Sequence, residues 1–142
     1  MPLVNFFKED VKIDLRSLRK YRKWINEVAQ SHHKEIELIN YIFCSDEYLH
    51  QINQGYLNHD TYTDIITFDL REHSSEEPIE ADIFISIERV QDNSQIQSTS
   101  FSNELERVII HGLLHLVGFK DKTQQEKDLM RKEETKALQL LY

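Results

Sequence analysis

Two histidines stand four residues apart in an otherwise apolar run, Val108-Ile109-Ile110-His111-Gly112-Leu113-Leu114-His115-Leu116-Val117. On a helix this spacing stacks both imidazoles on one face, with Cβ atoms about 5–6 Å apart, so both can reach one ion. A buried imidazole without a partner costs free energy, so a buried pair needs an explanation. A shared metal is one explanation, and two core histidines bonded to backbone carbonyls are the other. Gly118 follows as a helix stop that reverses the chain. The turn can then bring Asp121, six residues after His115, back to the same ion. Two neutral imidazoles and one carboxylate form an open zinc shell whose fourth position takes water. The expected cofactor is therefore one Zn2+ per chain, held by His111, His115 and Asp121. In zinc peptidases the residue after the first histidine is a glutamate, the general base. Here it is Gly112, which argues against proteolysis.

The surrounding pattern predicts how this pair is positioned. Asn103 to Val117 reads as a helix whose second half is apolar on every side, the mark of a helix buried mid-protein. Thr123 and Glu126 form a capping-box pattern for a last helix ending near Leu141. Upstream, Val4 to Phe7 reads as a first strand. Asp14 is an N-cap for a helix from Leu15 to about Gln30, with Leu15, Leu18, Tyr21, Ile25 and Val28 on one face. Ile36 to Cys44 is a strand rich in β-formers. Ser45 caps a further helix with Leu49, Ile52 and Tyr56 on its inner face. Asp64 to Leu70 and Ala81 to Ser86 read as two more strands, joined by an acidic loop with Glu72, Glu76, Glu77 and Glu80. The predicted fold is α+β: a small mixed sheet of about four strands with four to five helices and the metal-binding helix buried.

Composition bounds the rest. A chain of 142 residues with seven Phe, six Tyr and one Trp suits one domain, taken as 1–142, with a real core. No apolar stretch approaches the roughly 20 residues of a membrane span. Lys8, Glu9 and Asp10 interrupt any signal-peptide run. The single cysteine, Cys44, suits a reducing compartment. The expected location is cytoplasmic. The formal charge of −8 is not that of a default nucleic-acid binder, so RNA binding would need a local basic patch. Arg16, Arg19, Lys20, Arg22 and Lys23 supply five of the seventeen basic residues within eight positions. Arg16, Arg19, Lys20 and Lys23 are thus candidate RNA contacts, against the alternative of an ordinary solvated helix face.

His111 to Phe119 resembles the H-G-x-L-H-L-x-G-[YF] signature of the YbeY-type endoribonucleases, the bacterial rRNA maturation factors. Three further segments agree in order: Glu104-Leu105, Thr63 to Phe68 and Ala81 to Ser86. The resemblance covers about residues 36–140. It implies a zinc-dependent, single-strand-selective endoribonuclease acting on the 3′ end of small-subunit rRNA and in ribosome quality control. The implied partner is ribosomal RNA, with ribosomal proteins or an assembly GTPase as further candidates and no membrane. The family motif usually closes Asp-His, where this chain has Lys120 and Asp121. An aspartate ligand would leave bound water less acidified than a third imidazole would. The family's Tyr-Arg-Gly-Lys-Asp run is Tyr56-Leu57-Asn58-His59-Asp60 here, with Leu57 at the arginine. His59 and Arg107 are the candidates to replace it in catalysis. Arg107 lies one turn before His111, and its alternative role is pairing with Glu104. Glu104, at the family's Glu-Leu position, is a candidate to support the metal ligands from behind. The competing functions are a non-catalytic, zinc-containing ribosome-assembly factor and, disfavoured by Gly112, a metallopeptidase.

Overall fold

The structure is a computed structural model that describes residues 2–57, 63–73 and 76–142, with side chains throughout that set except at 56 and 57. The element order is β1 (Leu3–Lys8), a 3-10 turn (Leu15–Leu18), α1 (Tyr21–Ser31), β2 (Ile36–Cys44), α2 (Asp46–Leu57), β3 (Ile65–Asp69), β4 (Ile79–Ser86), α3 (Ile87–Ile96), α4 (Phe101–Val117) and α5 (Gln124–Leu141). The four strands form one sheet in the order β1-β2-β4-β3. The β1–β2 and β2–β4 pairs are parallel, and β3 runs antiparallel to β4 on the edge. This is a small mixed sheet of four strands packed with helices, within the expected four to five.

Strand alternation decides which face is covered by what. Ile79, Ala81, Ile83 and Ile85 recur at period two along β4 and are all fully buried. With Ile39, Tyr41 and Phe43 of β2 they join the main core, which also takes in Trp24, Ile25, Ile109, Leu113 and Leu114 of the helices. The opposite face is a smaller cluster in which Leu49 of α2 meets Cys44 and Ile66. Burial pushes the Cys44 thiol up to about 12, so it is an inert core group. Gly112 lets α4 lie close to the sheet, because a Cβ there would stand 3.0 Å from Ile65 Cδ1 and 3.2 Å from Ile83 Cδ1. Residue 112 thus faces the sheet.

One expectation about the helices is corrected, and one helix is added. The first helix is broken: Asp14 does cap Arg16 N–H, but a 3-10 turn closes at Leu18 before α1 starts at Tyr21. The tighter turn brings Leu18 and Tyr21, three apart, into the core together. The helix α3 was not predicted. Ser86 caps it by accepting from Arg89 N–H, but only Val90 and Ser94 are buried on it. Among the described residues no helix is long and apolar enough to cross a membrane.

Candidate metal centre

The C-terminal half of α4 carries His111 and His115 one turn apart. Gly118 ends the helix at φ 126°, a left-handed conformation that favours glycine. Its N–H donates to Leu114 O and His115 O, and Phe119 N–H also donates to Leu114 O. This tight reversal delivers Asp121 to the histidines. Arg71 fixes the same helix end: its Nη2 donates to Leu116 O at 2.7 Å while pairing with Asp69.

Three ligand atoms converge. His111 Nε2 and His115 Nε2 are 3.0 Å apart, and Asp121 Oδ2 is 3.2 Å from each. Ligands at about 2.0–2.2 Å from a tetrahedral ion stand roughly 3.3–3.6 Å from one another, so a shift of a few tenths of an ångström suits the cluster to one. The hydrogen bonds fix the chemistry of each ring. His115 Nδ1 lies 3.0 Å from Phe119 O, which can only accept, so Nδ1 carries the proton. His111 Nδ1 lies 2.7 Å from Glu134 Oε2, which holds a proton there too. With both rings neutral, both Nε2 atoms therefore present lone pairs to each other and to a carboxylate oxygen. Three acceptors face one point, an arrangement that a cation stabilises and that repels itself otherwise. These three residues could hold a metal ion. The side chains of His111, His115 and Asp121 are 22%, 31% and 39% exposed, which leaves an open side for water or substrate.

Electrostatics agree. Burial alone would lower the His111 pKa, but the Glu134 hydrogen bond and charge, with Asp121 and Asp64, outweigh it and leave it raised. The same surroundings attract a metal cation. Burial raises the Asp64 carboxyl. Two clefts meet here, and both are lined by Asp64, His111 and Asp121. One, of about 560 Å³, runs along edge strand β3 past Thr67 and His115. The other, of about 350 Å³, lies between α4 and α5.

The remaining predicted residues divide. Arg107 lines the α4/α5 cleft but pairs with Glu134 at 3.1 Å, not with Glu104. Glu104 lines the same cleft, nearly fully buried, and makes no hydrogen bond to either histidine. Support of His111 comes instead from Glu134, which the sequence reading missed. Its signal was present: Glu134 sits four residues from both Met130 and Leu138, a charge inside the buried stripe of α5. Arg16, Arg19, Lys20 and Lys23 are exposed and line neither cleft. Lys20 lies over the Tyr21 ring and Lys23 pairs with Glu27. His59, and with it the side chain at Leu57, lies outside the described residues.

An α+β fold with a His-x-x-x-His helix backed by the sheet, and a carboxylate on the next turn, has the make-up of a metal-dependent hydrolase. Comparison with known proteins narrows the class. The family model described as Endoribonuclease YbeY matches residues 4–142. The protein named Endoribonuclease YbeY from Cytophaga hutchinsonii is 53% identical over 135 residues, 95% of this chain and 93% of that one. The Christiangramia forsetii protein of the same name is 48% identical, over 98% of this chain and 94% of its own length. A Thermotoga maritima protein of known solution structure shares the fold with a TM-score of 0.69 at 22% identity, covering 96% of this chain and 87% of its own. The chain belongs to the endoribonuclease YbeY family.

Proposed function

We propose that the protein is a metal-dependent endoribonuclease that hydrolyses phosphodiesters of single-stranded ribosomal RNA, at the 3′ end of the small-subunit RNA, during ribosome maturation in the cytoplasm. Residues 1–142 act as one catalytic domain. The observation that carries this reading is the convergence of three lone-pair donors, His111 Nε2, His115 Nε2 and Asp121 Oδ2, within 3.2 Å of one another at the meeting of two clefts. The donor set of two imidazoles and one carboxylate favours zinc, one ion per chain. When bound, the ion supplies Lewis acidity toward a phosphate oxygen and lowers the pKa of a water.

The chain's own residues do the positioning. Glu134 and the Phe119 carbonyl hold the imidazoles with Nε2 outward. Asp121 adds the negative charge that suits a divalent ion. Gly112 packs on the sheet, so α4 offers no carboxylate base beside the first histidine, and the peptidase reading lacks its base.

The test is cleavage of a precursor small-subunit rRNA 3′ fragment with and without chelator, beside identically purified His115→Ala. Chelator-sensitive cutting absent from the variant supports the enzyme. RNA binding that ignores chelator, with no cutting above the variant, replaces it with a ribosome-assembly role. Cleavage of casein would restore the peptidase.

A further inference from the structure

The α4/α5 cleft has a chemistry that metal binding does not require. Arg107 stands one helical turn, about 6 Å, before His111 on α4. Its side chain is only 15% exposed, and Glu134 takes one Nη1 hydrogen bond from it. The other guanidinium donors have no partner among the described residues. Lys127 and Arg131, four apart on α5, stand on the same cleft, both exposed. Arg131 lies 3.9 Å from Glu134 with its side chain 57% exposed. Asn93 of α3 and Gln97, its C-cap residue, add amide donors to the wall. The acids of the cleft, Asp64, Glu104, Asp121 and Glu134, share it with these cations; Glu134 is already committed to Arg107 and His111, and Asp121 faces the histidines of the metal cluster. A guanidinium fork with spare donors, next to two solvated cations and a metal site, matches a phosphate diester better than a neutral ligand.

We propose that Arg107, Lys127 and Arg131 form a phosphate subsite that holds the RNA backbone beside the bond being cut. This rests on the reading that the chain acts on RNA. A strand lying along β3 in the larger cleft would pass His111 and Asp121 and leave through the α4/α5 cleft, so its scissile phosphate meets the metal cluster and a neighbouring phosphate meets the three cations. The exposed run on α1 lines neither cleft and is not part of this path.

Arg107→Gln would disturb Glu134, so the exposed pair gives the cleaner test. The metal-loaded protein is titrated into a labelled single-stranded oligoribonucleotide, on ice and over a salt series, with intactness checked on a gel. For the doubly substituted Lys127→Gln, Arg131→Gln protein the dissociation constant should rise about five- to tenfold. The slope of log affinity against log salt should fall by about 1 to 1.5, as expected for two lost phosphate contacts to a single strand. In cleavage assays KM should rise with kcat little changed, and thermal melting should not move. Lys12→Gln, Lys132→Gln, the same charge change away from the clefts, should leave affinity as it was. Unaltered affinity and slope in the cleft variant, with wild type binding and cutting RNA, overturns the subsite alone. Equal loss from the control pair also overturns it, because charge anywhere on the surface would then do the binding. Wild type that does not hold RNA overturns the underlying reading and the subsite with it.

Discussion

Glu106 and Glu134 pose the same physical problem and receive opposite answers. Both carboxylates are nearly fully buried, one on α4 and one on α5. Glu106 is met by neutral donors: Tyr21 Oη at 2.7 Å and Tyr142 Oη at 2.5 Å. Glu134 is met by Arg107 at 3.1 Å and by His111 Nδ1 at 2.7 Å. The first arrangement ties the C-terminus to the α1–α4 junction and leads nowhere else. The second ends on an imidazole whose other nitrogen faces Asp121. Burial of an acid is therefore uninformative about function, and the partner decides.

The sharpest break of this comparison removes a donor from the cluster that Glu134 supports through His111. His115→Ala deletes one of three donor atoms at the point of convergence, and we expect loss of both metal retention and RNA cleavage, measured by metal analysis after dialysis and by gel. A variant that retains metal and cuts RNA would refute the cluster. Next in size is Glu134→Gln. Partners that orient a metal-binding histidine are typically worth 10–100-fold in metal affinity. Competition with a chromophoric chelator should show a loss in that range, with helical circular dichroism retained. Wild-type affinity in Glu134→Gln would reduce Glu134 to the same structural standing as Glu106.

Glu106→Gln is the converse. It should leave metal affinity and cleavage untouched while lowering stability by about 1–3 kcal/mol, the cost of mismatching a buried hydrogen-bonded group. Denaturant unfolding measures this. A metal defect in Glu106→Gln with unchanged stability would erase the distinction between the two acids.

The sequence made one of these acids easier to read than the other because local pattern carries local geometry only. The His111/His115 spacing, the breaker Gly118 and the short step to Asp121 all lie within one helix and one turn, so the cluster was legible residue by residue. Glu134 reaches His111 across 23 positions, and only the packing of α5 on α4 brings them together. The strands were legible from short runs of β-forming residues, although β4 begins two residues earlier than read, at Ile79. The helix α3 was not, because Asp92, Asn93 and Ser94 are poor helix formers and Ile96 is 80% exposed, which leaves little amphipathic signal. Arg107 was placed on the right face of α4, but its partner, Glu134 instead of Glu104, depended again on α5.

The smallest expected effect probes the tyrosines themselves. Hydrogen bonding to Glu106 raises the Tyr142 hydroxyl to about 12, and burial, followed by the Glu106 hydrogen bond, raises Tyr21 further. Free tyrosine ionises near about 10. Both groups keep their protons in the folded protein at a pH where the unfolded chain has lost them. The stability they support is therefore fully present below about pH 10 and drains away as the pH climbs toward and past 12. Tyrosinate absorbance should show these hydroxyls lagging in the alkaline titration of the wild type. In Glu106→Gln the Tyr142 transition should fall back toward the ordinary value, while Tyr21 stays raised by burial. Tyr142→Phe should remove one lagging transition and cost less than about 1 kcal/mol, because the side chain is largely exposed and its hydrogen bond competes with water. If the Tyr142 transition does not move in Glu106→Gln, the hydroxyls are not anchored on that carboxylate, and Glu106 loses the partners that set it apart from Glu134.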